Sequence, residues 1–482
     1  MKASKPKSSS TLINILTIIT EMKSNRIILI AAAGLSIAML GSCNIYKKYE
    51  LPTEDSALAK AYGEAREQGV DSAAFGNLDW RTVFTDPTLQ DLINQALENN
   101  VNLQNAKLNV DIANAQLKGA KLAYLPSVTI APNGNISKMG DYDWTKTYQL
   151  PAQVSWEVDI FGKLLNSKRG AKEGVLKSQA YQQAARSQII AAVANCYYAI
   201  AALESQLSLS RATAENWRQS VGVMRDLKLA GRVNEAAVVQ SEAQYYGILA
   251  NITDLEASLT RTNNTMSLLL NVMPQRWNIN PDATLSAPAG LTGEIPMRQL
   301  AARPDVYAAE RDLAVAYYST NSARAAFYPG LNITASGGFT NLVGGLVTNP
   351  GKWFIDLAGS LVAPLFSRGA NISRLEAAKA QQKMALNNFE YTLLSAAGEV
   401  SDAMMVYEKS AEKESQLKLQ TEALTKSVDY TTILLRESAG TSYLEVLTAQ
   451  TSLLSSQMGE ISCRQLQAQA VINLYQALGG GR

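Results

Sequence analysis

The 482-residue chain contains no histidine. That absence removes Ser-His-Asp and Cys-His catalysis and most zinc sites in one step. Cysteine is scarce: Cys43, Cys196 and Cys463 are the only three, and their spacing makes neither a CxxC pair nor a metal-ligand set. Cys196 and Cys463 fall inside long helical patterns and are expected to be small buried apolar residues. An excess of one charge sign is also missing, with 44 Lys and Arg against 42 Asp and Glu, a net +2. Neither that balance nor any basic patch interleaved with aromatics points to nucleic acid. At 47% apolar and 18% charged residues, the chain is neither disordered nor a multi-span helical membrane protein. No cofactor, no metal and no enzymatic activity are expected. A glycosidase, for instance, needs a carboxylate pair in a supporting loop framework, and the sequence offers none.

Proline is absent between Pro151 and Pro274 and again after Pro364. Proline breaks helix interiors, so both gaps permit very long helices. They are rich in Ala, Leu, Gln, Glu, Lys and Ser, mostly good helix formers. Apolar positions recur at spacings of four and three: Leu393, Ala397, Val400, Met404, Tyr407 and Ala411 in one run, and Leu447, Leu454, Met458, Ile461, Ala468 and Ile472 on another seam. Such stripes mark heptad-like helix packing. Each gap is interrupted once by a turn signal, at Leu229–Glu235 and at Ser438–Ser442. Glycine after a helix end supplies the left-handed cap of a tight reversal. Each gap therefore predicts an antiparallel helical hairpin with arms of up to about sixty residues, roughly 90 Å at 1.5 Å per residue. A tunnel or stalk needs that length.

What is there at the N-terminus is an export signal. Met22-Lys23-Ser24-Asn25-Arg26 precedes an apolar run from Ile27 to Leu40, then Gly41-Ser42-Cys43. A basic start, a short apolar stretch and small residues before the cut describe a secretory signal, and the run is too short for a transmembrane span. Leu40-Gly41-Ser42-Cys43 resembles the lipobox of bacterial lipoproteins, which implies that Cys43 is acylated and becomes the first mature residue. Met22 is the expected start. Asn44, rather than aspartate, follows the cysteine, which favours the outer membrane in the enteric sorting rule. Two or three acyl chains anchor firmly where one binds only marginally.

Before each long hairpin sits a strand pair. Tyr148 to Ile160 alternates without fault, with Leu150, Val154, Trp156 and Val158 on one face and Gln149, Gln153, Ser155, Glu157 and Asp159 on the other. The other strands are predicted at 127–137, 330–340 and 353–365, with loops facing outside at 138–147 and 341–352. Tyr124, Phe161, Phe327, Tyr328, Trp353 and Phe366 cluster near the strand ends. Lengths of 11 to 13 residues and aromatic ends fit transmembrane β-strands. A sheet in lipid must close, because an open edge leaves backbone groups unsatisfied, and small single-chain barrels need about eight strands. Four strands per chain imply closure by several copies, and the wide ring of helices favours three. The halves also match: Ala123-Tyr124-Leu125-Pro126 with Ala326-Phe327-Tyr328-Pro329, and Ala230-Gly231 with Ala439-Gly440. This predicts an internal duplication. The domain division is 1–42 signal peptide, 43–90 anchored N-terminal and equatorial segment, 91–290 first repeat and 291–482 second repeat. The fold class is mainly α with a membrane β-barrel, completed as twelve strands in a trimer.

Leu78-Asp79-Trp80-Arg81, Phe84-Thr85-Asp86-Pro87, Ala96-Leu97-Glu98-Asn99-Asn100, Arg303-Pro304-Asp305-Val306 and Leu434-Leu435-Arg436 through Gly440, Tyr443-Leu444 and Ala449-Gln450 resemble the outer membrane factor (TolC-like) family. Within it the chain looks like the lipoprotein branch serving resistance-nodulation-division efflux pumps. The resemblance covers nearly all of the mature chain. It implies a homotrimeric, passive outer-membrane duct reaching into the periplasm, a periplasmic adaptor protein and an inner-membrane resistance-nodulation-division transporter as partners. It implies a pore gate at Leu444 and Glu445, with Thr448 where many members carry a second aspartate, so a double acidic ring is not expected. Arg232 and Arg436 are candidate latches of the closed tips. Ala230, Gly231, Ala439 and Gly440 are candidate adaptor-docking positions. Residues 44–90 would wrap the outside, and Gly479-Gly480-Gly481-Arg482 would be a short exposed end. A type I protein secretion channel is the alternative on the same fold, and a non-channel coiled-coil lipoprotein a further one.

Overall fold

In a computed structural model, the described residues are 46–54, 56–68, 75–285, 297–343, 345–363, 368–437 and 442–481. Cys43, Phe366, Ala439 and Gly440 lie outside them, as do the signal segment and most of the second turn signal. In chain order the helices and strands are α1 (Ala57–Glu67), α2 (Trp80–Val83), α3 (Pro87–Asn99), α4 (Val101–Leu122), β1 (Ser127–Ile130), β2 (Asn133–Ser137), β3 (Thr145–Val158), α5 (Lys163–Leu229), α6 (Glu235–Leu269), α7 (Met297–Ala301), α8 (Pro304–Ala325), β4 (Gly330–Val343), β5 (Leu346–Val362), α9 (Ala370–Arg436) and α10 (Tyr443–Ala477). The two halves share their pattern. Helices α4 and α8 have 22 residues each, α5 and α9 have 67, and α6 and α10 have 35. The hairpin arms are thus unequal. Among the described residues, no helix is long and apolar enough to cross a membrane.

The chain forms two compact units, one of Met1–Glu50, Asn114–Gly174 and Leu313–Ala385, the other of Leu51–Ala113, Val175–Asp312 and Leu386–Arg482. The first carries an antiparallel sheet, β1 and β2 both on β3, then β4, then β5. Its register puts Val128, Val154, Ala335 and Leu357 in one row across four strands, with Ile130, Ala152, Gly337 and Ile355 in the next. The opposite face has rows such as Thr129, Gln153, Ser336 and Asp356. One face is therefore apolar from edge to edge and the other polar. The apolar side chains are bare: Ile130, Ile355 and Leu357 are each more than 70% exposed. Phe339 pairs with Trp353 near one end of this face, close to Tyr148. Trp156 closes the other end, its indole donating to the Tyr124 carbonyl at 2.9 Å. Tyr148 to Trp156 is eight residues, about 26 Å along a strand, close to the apolar band of a membrane barrel.

Three expectations need correction. The predicted strand 127–137 is broken into β1 and β2 at Ala131-Pro132, because proline has no N–H to give the ladder. The predicted loop 341–352 is mostly strand, reversing at Gly345 with φ +83°. The ladder irregularity between Thr340 and Leu342 is bridged by the Asn341 amide, which accepts from the Tyr148 N–H at 2.7 Å and donates to the Lys146 carbonyl at 2.8 Å. The terminal glycines are not exposed. Gly479, Gly480 and Gly481 are buried, the Gly481 N–H donates to the Tyr475 hydroxyl at 2.9 Å and the Ser187 hydroxyl to the Gly480 carbonyl. A Cβ at Gly480 would stand 2.5 Å from the Tyr475 ring. Glycine is required there for close approach, which mimics the composition of a loose end.

The second unit has the main hydrophobic core, where Tyr62, Trp80, Phe84, Tyr197, Phe389, Val400 and Ile472 are among the buried residues. Cys196 and Cys463 are buried free thiols. Burial pushes the Cys196 thiol up to about 11, so it stays protonated and unreactive.

Candidate functional site

The candidate site, in the second unit, is the turn between α5 and α6 together with the end of α9 and the start of α10. The first turn is set by a glycine. Helix α5 ends at Leu229, Gly231 takes φ +70°, its N–H donates to the Lys228 carbonyl and that of Arg232 to the Leu227 carbonyl, both at 2.9 Å. These two bonds are the Schellman closure of a helix end. Asn234 then caps α6, accepting from the Ala237 N–H at 3.1 Å. Ala230, Gly231 and Arg232 are exposed, and a Cβ at Gly231 would meet nothing within 4 Å. Arg436 is the last residue of α9.

The arms of the two hairpins are tied differently. Between α5 and α6, Arg211 pairs with Glu256 at 2.7 Å, Arg225 with Glu242 at 2.6 Å, and Lys228 with Glu235. Between α9 and α10 the ties include Thr421 to Ser456 at 2.9 Å and Gln467 to Glu414 at 2.7 Å. A Cβ on Gly459 would come 3.2 Å from Leu417. Surface ion pairs contribute little singly.

At the start of α10, one face is packed and one is open. Leu447 is buried in a cluster with Ala214, Trp217 and Ile248, with Tyr443, Tyr245 and Leu454 against it. The Tyr443 and Ser241 hydroxyls are in contact. Burial raises the Tyr443 phenol, with the Ser241 contact opposing the shift. Leu444, Glu445 and Thr448 are all exposed and lie within about 100° of one another around the helix. The Thr448 hydroxyl turns back to the Leu444 carbonyl at 2.8 Å. The structure thus brings the three predicted gate residues to one open face. Tyr443 and Ser241, which join the two hairpins, were not singled out from sequence, since a hydroxyl pair 202 residues apart has no local signature.

The motif residues upstream are architectural. Asp86 caps α3, accepting from the Thr88 N–H at 2.8 Å, and takes the Tyr197 hydroxyl at 2.6 Å. Asn100 accepts from the Asn102 N–H at 2.9 Å and donates to the Leu269 carbonyl at 2.9 Å, so it starts α4 and closes the end of α6. Arg303 is 6% exposed. Its guanidinium makes a two-pronged contact with Asp305 at 3.0 and 2.7 Å and reaches Glu399 and the Ala477 carbonyl at 2.7 Å each. Burial works against its charge, and the two carboxylates more than offset that, so its pKa is raised. It joins the start of α8, the middle of α9 and the end of α10. Among the described residues, no group of Cys, Asp or Glu is placed to hold a metal ion.

A model of the outer membrane efflux protein family matches residues 92–272 and 295–480. The chain belongs to this family. The cation efflux system protein CusC of Escherichia coli is 29% identical over 426 residues, covering 86% of this chain and 91% of that one. A solved structure of CusC matches with a TM-score of 0.75 at 26% identity, over 84% of this chain and 95% of that chain. The probable outer membrane lipoprotein SilC of Salmonella typhimurium is 29% identical over 425 residues, 85% and 89% of the two chains. The toluene efflux pump outer membrane protein TtgC of Pseudomonas putida is 29% identical over 462 residues, 92% and 93%. The protein is an outer-membrane efflux channel subunit, and efflux prevails over protein secretion.

Proposed function

We propose that three copies of this chain close a twelve-strand barrel in the outer membrane and act as the passive exit duct of a tripartite efflux system. The observation that carries this is the sheet: four strands wide, apolar on one whole face, with no strand among the described residues paired to the outer edge of β5 or of β1 and β2. Lipid does not tolerate such edges, and β5 of one copy pairing with β1 and β2 of the next satisfies them. The matched halves, 22, 67 and 35 helical residues in each, support an internal duplication that places six similar units around the axis.

Cys43 is the proposed lipid anchor. Three residues later, Tyr46 lies against Gly162 and accepts from Arg169 at 3.3 Å, which holds the anchored end beside the sheet. Glu445 and Leu444 form the gate, three carboxylates favouring cations at a narrow entrance, with Thr448 behind them and Arg232 and Arg436 as latches. Ala230, Gly231, Ala439 and Gly440 are the docking positions for a periplasmic adaptor, which links the duct to an inner-membrane resistance-nodulation-division transporter. Relatives of equal identity are named for cation and for toluene efflux, in keeping with a duct whose cargo is chosen by the pump.

The test is the mass of the detergent-extracted protein by light scattering, corrected for bound detergent, with conductance in planar bilayers. A conducting trimer is expected. A stable folded monomer sinks the barrel.

A further inference from the structure

The overall charge balance conceals a segregation. In the first unit, the parts outside the sheet (residues 46–50, 114–126, 159–174, 313–329 and 368–385) hold thirteen Lys and Arg against four Asp and Glu. The sheet and its loops, 127–158 and 330–363, hold three against four. The second unit holds 23 against 33. From residue 46 onward, the excess of positive charge is thus confined to the stretches that flank the sheet.

All four helix–strand junctions carry it. Lys121 is in the last turn of α4 and Lys163 opens α5; Arg324 is in the last turn of α8 and Arg374 near the start of α9. All four side chains are exposed. Lys163 alone of these is in an ion pair among the described residues, with Glu157 at 2.8 Å. Aromatic rings are interleaved: Lys168 lies 5.5 Å from the Tyr124 ring centre, and Phe161 stacks on Tyr328 at 4.9 Å. The apolar face of the sheet ends at this level, at Trp156 and Tyr124. Aromatic rings with basic side chains beside them mark the headgroup level of a bilayer.

We infer that this basic collar binds the phosphate groups of anionic phospholipids in the periplasm-facing leaflet of the outer membrane. The inference rests on the barrel proposed above. A neutral sheet has no electrostatic preference among lipids, whereas clustered Lys and Arg within a Debye length of the surface attract anionic headgroups. Lys47 and Lys48, exposed beside the tethered Tyr46, place basic charge next to the acylated end. The collar and the anchor then supply the two signals that stable membrane attachment needs.

The test uses the full lipid-anchored protein reconstituted in vesicles of phosphatidylcholine with one-third phosphatidylglycerol. It is re-extracted in mild detergent, and the lipid carried along is counted. Phosphatidylglycerol should be enriched over phosphatidylcholine, and the enrichment should collapse in 0.5 M salt. A variant with Lys118→Gln, Lys121→Gln, Lys168→Gln and Lys172→Gln, all exposed positions, should lose about an order of magnitude of it. Equal retention of both lipids by a trimer that still conducts overturns the collar and leaves the channel standing. So does enrichment that neither salt nor the variant changes. If the variant instead shifts only the reversal potential, the lysines face the duct and the inference is wrong. Absence of a trimer in the unmodified protein overturns the barrel and the collar together, and the salt arm remains decisive if the variant does not fold.

Discussion

Replacing Leu357 by arginine should prevent assembly, while the same change at Gln153 should be tolerated. Leu357 stands in the row Val128, Val154, Ala335 and Leu357, four residues from Trp353 and two from the level of Trp156. It is 74% exposed, so no packing in the single chain is lost. Arginine on the lipid face costs up to about 2–4 kcal/mol, and in the proposed trimer three copies would bring up to roughly 6–12 kcal/mol against one assembled barrel. Gln153 is on the polar face beside Thr129 and Ser336. An arginine there stays in water and should change stability by about 0.5 kcal/mol or less, like other exposed substitutions. Urea titration of vesicle-reconstituted protein, followed by tryptophan fluorescence with mass measured in detergent, reads both variants. Equal losses, or a worse loss at Gln153, would refute the assignment of the two faces.

Arg303→Ala leaves Asp305, Glu399 and the Ala477 carbonyl without their shared partner. Breaking a buried pair costs about 3–5 kcal/mol, and the partial exposure of the two carboxylates reduces this to about 2–3 kcal/mol, read as a lower urea midpoint of the helical circular dichroism. Tyr443→Phe keeps the ring in its cluster and removes only the contact with the Ser241 hydroxyl; it should raise conductance in planar bilayers without changing trimer mass, and an unchanged conductance counts against that contact holding the tip. Glu445→Gln should shift the reversal potential toward less cation preference, and no shift would remove Glu445 from the gate. Burial works to raise the Glu414 carboxyl, but hydrogen bonds from Lys418 and Gln467 outweigh it and hold its pKa below the ordinary value. A carboxyl depressed in the folded state contributes stability above its unfolded pKa of about 4.3 and loses it as pH falls through the lower folded value. Thermal melting at pH 3 should therefore fall further below that at pH 7 in the native protein than in Glu414→Gln.

Much of the candidate site was legible because turns and helix ends are local. Glycine at 231 in a run of good helix formers marks a reversal, and the observed helix ends at Leu229 and restarts at Glu235. Of the seam Leu447, Leu454, Met458, Ile461, Ala468 and Ile472, the two ends are buried and Leu454, Met458 and Ile461 are half-buried. The Ser241–Tyr443 contact, the Arg303 clamp and the Asn341 bridge were not legible, since each joins residues whose separation leaves no period in the sequence. The basic collar was hidden differently: a net charge of +2 sums a positive and a negative region, and only the division into units separates them.

By itself the sequence determined the long helices, the core of each strand and which side of each strand is apolar, because alternation, heptads, proline gaps and turn residues are properties of neighbouring positions. It did not determine the break at Ala131-Pro132 or the strand through 341–352. It also excluded histidine chemistry outright. Tertiary structure decided the rest. Register turned separate apolar strand faces into one sheet with an apolar side, since one residue of slip reverses every side chain. Close backbone approach made buried packing out of three terminal glycines that read as a loose end. Which charges share a surface depends on distances in space, and those are fixed only when the chain is folded.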